Sequence, residues 1–237
     1  MRTVLWDLDG TLADTEALHF HSWQATLSAY SISYDHATFL ADFGRNNQEI
    51  LTRLLGPDGT PALIAEISHR KESTFRSLLP TFSVPVLPGV IDWLDNLQAA
   101  GVRQVVSSSG TMANITATIA RLDLGDYFMA LMSGYRLPRG KPHPALFLNS
   151  AAAVAVTPAD CIVIEDSVAG VDAARRAGMG SVAVGKLAAS PALPSLLASV
   201  PGQPCRPVST LLDLSWPELD GLWQAAHAVD GFWPASA

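Results

Sequence analysis

Acidic side chains crowd the start of the chain, in the stretch DLDGTLADTE that runs from Asp7 to Glu16. Asp7 and Asp9 follow the apolar run TVLW and lie two residues apart, so on extended backbone their side chains would point the same way. Neighbouring carboxylates repel one another and need a cation, a proton or abundant water. The stretch therefore predicts a carboxylate site, unless Asp7 merely ends a strand and Asp9 caps a turn.

Two known ion- and phosphate-binding loops do not fit these residues. A calcium-binding loop that began with these aspartates would need glycine at its sixth position and glutamate at its twelfth, where this chain has Leu12 and Leu18. A P-loop would need its two glycines to be one residue closer to each other than Gly134 and Gly140 are, and it would need Ser or Thr in place of Pro142. Both interpretations are excluded.

Three more polar clusters occur farther along the chain, at the ends of apolar runs or before helices. They are SSSGT (Ser107–Thr111), GKPHP (Gly140–Pro144) and the acids of IEDS (Ile164–Ser167). Ligands of open parallel sheets bind outside the carboxyl ends of the strands. We therefore expect all the clusters to meet at one edge of a sheet.

The side chains expected there suit phosphoryl transfer. Glu165 and Asp166 would join the first acids, and such a group of carboxylates suits Mg²⁺, a hard cation that prefers oxygen ligands. Ser108 and Ser109 offer hydroxyl groups near a helix start, where backbone N–H groups bind anions, and Lys141 adds positive charge. Taken singly, the serines also fit an ordinary polar loop and Lys141 an exposed lysine. Together they match a chemistry in which positioning and charge neutralisation supply most of the catalysis.

The elements that must position these residues alternate between strand and helix. The pattern predicts strands at 3–6, 102–106, 128–132, 161–164 and 181–184, and helices at 88–100, 113–122, 144–154 and 168–177. This alternation is typical of βαβ units around a parallel sheet. Near the end, STLLDLSWPELDGLW predicts a last strand and helix. Between the first strand and Pro88 the pattern is helical only.

The predicted fold is an α/β, Rossmann-like parallel-sheet core with an inserted all-helical cap domain. The core comprises residues 1–13 and 86–237, and the cap comprises residues 14–85.

Composition excludes several classes of protein. Of the 237 residues, 49% are hydrophobic and 16% are charged, which supports a large folded core. The net charge of −7 argues against nucleic acid or an anionic membrane surface as a partner. No apolar run is long enough for a membrane span or a signal peptide, and two cysteines, Cys161 and Cys205, do not suggest a disulfide framework. We expect a soluble cytoplasmic protein without an obligate protein partner.

Taken in order, DLDGTLADTE, SSSG, GKP and IEDS resemble the four motifs of the haloacid dehalogenase superfamily of phosphotransferases, over about residues 3 to 185. The resemblance implies that Asp7 attacks phosphorus and that Asp9 is the general acid and base. It implies that Asp7, the backbone carbonyl of Asp9 and Asp166 hold Mg²⁺, with Glu165 close by. It also implies that Ser108 and Lys141 hold the phosphoryl group. The dehalogenases of this superfamily lack the second aspartate, so dehalogenation is not expected.

The helical insertion matches the subgroup that includes β-phosphoglucomutase and many sugar-phosphate phosphatases. LHFHSW resembles the cap entrance of the mutase, where residues matching Thr15 and His19 help to position the general acid, although His19 also fits a polar helix face. Asn47 stands where mutases carry an arginine that grips the distal phosphate of a bisphosphate, and Arg45 is out of register. Lys71, in SHRKES, is interpreted as an exposed lysine rather than the Schiff-base lysine of phosphonoacetaldehyde hydrolases.

The sequence thus predicts a Mg²⁺-dependent phosphatase of a small phosphorylated metabolite, with a sugar phosphate as the expected class. A β-phosphoglucomutase-type mutase is the alternative. A non-catalytic binding module is a third interpretation, against which the intact Asp7, Asp9, Lys141 and Asp166 argue, because binding alone needs no paired carboxylates.

Overall fold

A single parallel sheet organises the protein. The computed structural model describes residues 1–42, 46–198 and 204–228. In these residues six strands pair in the order β3-β2-β1-β4-β5-β6, all parallel. They are β1 (Thr3–Trp6), β2 (Arg103–Ser108), β3 (Ala130–Ser133), β4 (Cys161–Glu165), β5 (Gly180–Val184) and β6 (Cys205–Val208). The predicted α/β parallel-sheet fold is confirmed.

The strand register aligns the ends of the three central strands. Trp6, the last residue of β1, pairs with Val106 of β2 and Ile164 of β4. The residues that follow these three positions are therefore level with one another. The strand order also reverses beside β1, and crevices at such reversals are where open α/β sheets bind ligands.

The chain between β1 and residue 86 is helical, as the sequence predicts. Residues 14–85, here called the helical segment, contain α1 (Glu16–Ser28), α2 (His36–Asp42), α3 (Asn47–Leu55) and α4 (Pro61–Leu78). These helices share an apolar cluster that includes Trp23, Leu27, Phe39, Leu51 and Ile67.

Two adjacent chain crossings connect the helical segment to the sheet. Ala13 and Val86 form an antiparallel bridge, and the N–H of Asp14 donates to the carbonyl of Pro85 (3.0 Å). Both crossings lie where the sequence places its domain boundaries. That the helical segment is a separate cap domain stays a prediction.

The remaining helices cover both faces of the sheet. They are α5 (Val90–Ala99), α6 (Met112–Arg121), α7 (Ala145–Ala153), α8 (Val168–Arg176), α9 (Ala192–Ala198) and α10 (Trp216–Ala228). Successive residues of β1 point to opposite faces: Trp6 joins the core that contains Trp93 and Trp223, whereas Leu5 joins the core around Phe147. Burying each large side chain stabilises the fold by about 1.5–3 kcal/mol.

The predicted last strand was placed wrongly. In the segment STLLDL, residues Leu211–Asp213 form a short 3-10 helix, and the strand β6 lies just before it at Cys205–Val208. β6 contains Pro207, which cannot donate to a ladder and is tolerated because β6 is an edge strand. The helix expected after it is α10.

Within the described ranges, no helix combines the length and the apolar character needed to cross a membrane.

Candidate active site

The first acid of the sequence lies beside a buried lysine. Asp7 directly follows β1, and its N–H donates to the carbonyl of Ile164 (3.0 Å), which extends the strand ladder by one residue. Lys141 Nζ donates to Asp7 Oδ1 (2.6 Å) and to Glu165 Oε2 (3.0 Å). The Lys141 side chain is only 8% exposed, so it is not a surface lysine. Burial alone would lower the pKa of Lys141, but the charges of Asp7 and Glu165 raise it above its ordinary value.

Three carboxylates converge at this point. Asp7, Glu165 and Asp166 each place an oxygen within 4.8 Å of the others. Burial, followed by the negative charge of Glu165, raises the pKa of Asp7 well above its ordinary value. The same two causes raise the pKa of Asp166 to about 8. The cluster is therefore costly to ionise without further positive charge, and its all-oxygen donor set fits a hard divalent cation.

Two glycines make room for these carboxylates. Gly10 has φ +79°, and a Cβ there would lie 2.1 Å from Asp166 Oδ2. A Cβ at Gly170 would lie 2.0 Å from the carboxyl carbon of Glu165. Ser167, which caps α8, donates from its hydroxyl to Glu165 Oε1 (2.5 Å). Sequence reasoning did not single out Gly170, although a glycine inside a predicted helix is a signal of close packing.

Asp9 has different partners from Asp7. Its Oδ1 accepts from Thr15 Oγ1 (2.7 Å) and lies 3.2 Å from His19 Nε2. Burial alone would raise the pKa of Asp9, but His19 and Thr15 lower it to about 2. The structure thus brings Thr15 and His19 to the carboxylate that the sequence expects them to position. Metal ligation by the Asp9 backbone carbonyl stays a prediction.

The exposed location predicted for Lys71 is wrong. Its side chain is only 3% exposed, and Nζ donates to His19 Nδ1 (3.0 Å) and Glu72 Oε1 (3.0 Å). Because a lysine ammonium can only donate, His19 Nδ1 accepts from Lys71, which leaves Nε2 as the nitrogen that donates to Asp9. The neighbouring letters of SHRKES are polar, but Ile67 and Phe75, four residues away on each side, are buried. That spacing of four, rather than local polarity, marks the buried face of α4.

The serine loop follows β2. Ser108, the last residue of β2, is buried, and its Oγ accepts from the N–H of Gly110 (3.0 Å). Ser109 is exposed in the loop that follows. The hydroxyl of Thr111 then caps α6 by accepting from the N–H of Asn114 (3.2 Å). Phosphate binding by Ser108 and Ser109 stays a prediction.

Asn47 contacts protein groups at the start of α3. Its Nδ2 donates to Glu72 Oε1 (2.6 Å) and to Ser68 Oγ (2.9 Å). Whether Asn47 also contacts substrate stays a prediction. Arg45 lies outside the described residues.

Glu72 is a buried acid that sequence reasoning missed. Besides Lys71 and Asn47, it accepts a hydrogen bond from Nδ2 of Asn114, which belongs to α6 beside the sheet. Arg76 Nη1 donates to Asn114 Oδ1 (2.7 Å). Burial alone would raise the pKa of Glu72, but Lys71 and the hydrogen bond from Asn47 hold it below its ordinary value. These contacts fasten α4 of the helical segment to α6.

Comparison with known proteins identifies the family. Residues 4–184 match the family model described as haloacid dehalogenase-like hydrolase. The chain belongs to the haloacid dehalogenase-like hydrolases. This confirms the resemblance drawn from the four motifs.

The relatives of this haloacid dehalogenase-like hydrolase include a mutase and a phosphatase. It is 33% identical over 192 residues to a β-phosphoglucomutase of Bacillus subtilis, covering 78% of this chain and 84% of the relative. It is 31% identical over 182 residues to the fructose-1-phosphate phosphatase YqaB of Escherichia coli, covering 76% of this chain and 95% of the relative. The activity therefore lies among the phosphatases and phosphosugar mutases of the family.

A solved structure has the same fold. The crystal structure of a β-phosphoglucomutase from Clostridium difficile superimposes with a TM-score of 0.80 at 24% identity, covering 96% of this chain and 99% of the other.

Proposed function

We propose that this protein is a Mg²⁺-dependent phosphatase that hydrolyses a small phosphomonoester. The expected substrate class is the sugar phosphates, and the reaction passes through an aspartyl-phosphate intermediate. One observation carries the proposal: two aspartates two residues apart have separate environments. Asp7 lies against Lys141 in the acidic cluster, whereas Asp9 is held by Thr15 and His19. A nucleophile and a proton donor need such different surroundings.

In the first step Asp7 attacks phosphorus. A bond forms between an Asp7 oxygen and phosphorus, and the bond from phosphorus to the alcohol oxygen of the substrate breaks. Asp9 gives that oxygen its proton. Asp9 is ionised in the free protein because its pKa is about 2, but the negative charge of an incoming phosphate raises the pKa of a neighbouring carboxyl group. Arrival of substrate thus favours the protonated form that the step requires.

In the second step water attacks the phosphorus of the aspartyl-phosphate. Asp9, now ionised again, takes a proton from the water, and the bond from Asp7 to phosphorus breaks. Inorganic phosphate leaves and Asp7 is regenerated. In this proposal Lys141 and Ser108 hold phosphoryl oxygens, and the hydrogen bond from Lys141 to Asp7 supports a second role for Lys141, which is to keep the Asp7 carboxylate in position.

The acidic cluster fits a magnesium ion. Asp7 and Asp166 would hold it, with Glu165 as a further ligand or as a neighbour of the ligands. Mg²⁺ binds hard oxygen donors in places where negative charge accumulates. When bound, Mg²⁺ supplies positive charge that offsets the repulsion between these carboxylates and the phosphate.

The test is release of inorganic phosphate from a panel of phosphorylated metabolites, with and without Mg²⁺. We expect Mg²⁺-dependent release from a few related sugar phosphates. Asp7→Asn should reduce kcat by about a thousandfold or more, because the amide is a far weaker nucleophile. Asp92→Asn, an exposed acid on α5, is the matched control and should retain activity. Substantial activity in Asp7→Asn would overturn the nucleophile assignment.

A second measurement separates catalysis from mere binding. Beryllium or aluminium fluoride with Mg²⁺ mimics a phosphoryl group on an aspartate, so a catalytic Asp7 should trap it. A non-catalytic binding module should not.

A mutase is the second candidate, favoured by the contact between His19 and Asp9, which matches the expected mutase cap entrance. It predicts isomerisation of a hexose phosphate after addition of a bisphosphate primer, with little phosphate release. Three further statements stay predictions. The protein acts on a small phosphorylated metabolite, it is cytoplasmic, and it has no nucleic-acid, membrane or obligate protein partner.

A further inference from the structure

Glu72 has no role in the proposed reaction steps, yet it is a buried acid close to the residues that perform them. The residue is 7% exposed, and its two carboxylate oxygens accept hydrogen bonds from Lys71, Asn47 and Asn114. Burying charges is costly, and replacing a whole buried ion pair such as Lys71 and Glu72 by apolar side chains is often neutral for stability. The position of this carboxylate therefore invites a functional explanation.

Short contacts connect Glu72 to the reacting end of the site. Asp9 contacts His19, His19 contacts Lys71, and Lys71 contacts Glu72, at 3.2, 3.0 and 3.0 Å. On its other side, Glu72 contacts Asn114 in the first turn of α6, directly after the serine loop. If Asp9 protonates the leaving group, as proposed above, that group lies beside Asp9, and we place its far end toward Glu72, three contacts away.

The groups around Glu72 offer hydrogen bonds, and its two neighbouring cations in the described contacts are both engaged: Arg76 Nη1 donates to Asn114 Oδ1 (2.7 Å). Lys71 is paired with Glu72 itself. Asn47 bonds to Ser68, and Ser68 Oγ shares a hydrogen bond with the hydroxyl of Tyr135 (3.1 Å), which is 43% exposed. These amide and hydroxyl groups suit the hydroxyls of a sugar. A second phosphate would meet the Glu72 carboxylate instead.

We propose that Glu72 determines the substrate specificity of this protein. It makes the protein select phosphomonoesters whose leaving alcohol is uncharged and rich in hydroxyl groups. Phosphomonoesters whose leaving alcohol carries a second phosphate are disfavoured. The inference rests on the proposed phosphatase function. Like charges in a poorly solvated site repel strongly, so we expect discrimination of about tenfold or more.

The experiment uses a pair of substrates with the same ester to be cleaved, fructose 1-phosphate and fructose 1,6-bisphosphate. In the wild-type protein kcat/KM should favour the monophosphate by about tenfold or more. Glu72→Gln should reduce that ratio by about tenfold, mainly through a lower KM for the bisphosphate. Glu66→Gln removes an exposed carboxylate from the same helix and is the matched control, which should leave the ratio unchanged.

A second variant guards against misfolding of Glu72→Gln. Asn47→Arg retains Glu72 but places a cation beside it, and it should also shift preference toward the bisphosphate. Equal kcat/KM for the two substrates in the wild type, or the same ratio in all variants, would overturn the role of Glu72 while the phosphatase function stands.

Binding distinguishes this inference from the proposed function. Dissociation constants of both sugars are measured by calorimetry in Asp7→Asn, alone and combined with Glu72→Gln. A monophosphate preference that Glu72→Gln removes supports the role of Glu72, even if the wild type releases no phosphate and the phosphatase proposal fails. Equal affinity for both sugars in Asp7→Asn overturns that role.

Discussion

Glu165 reaches its place beside Asp7 because residue 170 has no side chain. An added Cβ at Gly170 would lie 2.0 Å from the Glu165 carboxyl carbon, far closer than atoms pack. Gly170→Ala must therefore displace Glu165 or the first turn of α8. We expect a loss of about 1–3 kcal/mol in the free energy of unfolding, together with a clear loss of phosphatase activity. Urea unfolding and phosphate release measure the two effects.

Gly221→Ala is the control for this prediction. Gly221 also lies in a helix, α10, but an added Cβ there would have no neighbouring atom within 4 Å. Because alanine is the better helix former, this change should stabilise the protein by up to about 1 kcal/mol. Equal effects of both substitutions would contradict the packing of Gly170 against Glu165.

Lys71 supplies the second prediction for a single residue. Its ammonium group lies between His19 and the buried Glu72 carboxylate, so Lys71→Ala leaves Glu72 without its counter-charge. Breaking a buried pair in this way costs about 3–5 kcal/mol. The measurement is the free energy of unfolding from urea titrations.

An exposed ion pair provides the comparison for Lys71. Lys186 also pairs with a glutamate, Glu16, but its side chain is 89% exposed. Lys186→Ala should change stability by less than about 1 kcal/mol. Equal losses of stability in the two lysine variants would contradict the burial of the ion pair between Lys71 and Glu72.

At the scale of elements, α4 carries two functional rows of side chains. Ile67, Lys71 and Phe75 form a buried row spaced by four residues, and Ser68 and Glu72 form the row beside it. The first row supports His19 of α1, and the second contacts α3 and α6. A single helix thus supports the histidine that contacts Asp9 and also contacts α6, which follows the serine loop.

The sequence predicts these elements better than their polar contacts. Apolar alternation and helical spacing predict the central strands and most helices, because burial of apolar side chains repeats along the chain. A buried polar side chain needs one specific partner, and that partner is distant in sequence: Lys141 bonds Asp7 across 134 positions, and Asn114 bonds Glu72 across 42. The four motifs identify the first pair. No local pattern indicates the second.

Glu72, which contacts Lys71 on its own helix and Asn47 on α3, makes stability depend on pH. The folded-state pKa of Glu72 lies below its ordinary value of 4.5, so the ionised carboxylate stabilises the fold at neutral pH. This contribution is complete above pH 4.5 and is lost as pH falls through the lower folded-state pKa. The wild type should therefore exceed Glu72→Gln in stability by more at pH 7 than at about pH 3.5.

Urea unfolding at both pH values checks this. The exposed Glu66→Gln on α4 gives the effect of removing one charge from the same helix. A stability difference between wild type and Glu72→Gln that stays constant with pH would show that the Glu72 carboxylate is not held ionised by its partners.

At the scale of the whole molecule, the sheet brings acids from separated segments to one edge. β1 and β4 are neighbours, so Asp7 and the pair Glu165 and Asp166 meet although more than 150 positions separate them. The protein as a whole also carries a net charge of −7. Folding therefore concentrates negative charge, and a cation that binds only the folded state must stabilise it.

Magnesium should for this reason raise the melting temperature even without substrate. At a concentration about a hundred times its Kd, a ligand adds about 2.7 kcal/mol, which for a chain of this size corresponds to roughly 5–10 °C. Asp166→Asn removes a carboxylate from the cluster and should abolish most of the shift. Asp172→Asn removes a buried acid that pairs with Arg175 and Arg176 outside the cluster, so it should lower the melting temperature but retain the shift. A full shift in Asp166→Asn, measured by thermal unfolding with Mg²⁺ and with EDTA, would place the metal elsewhere.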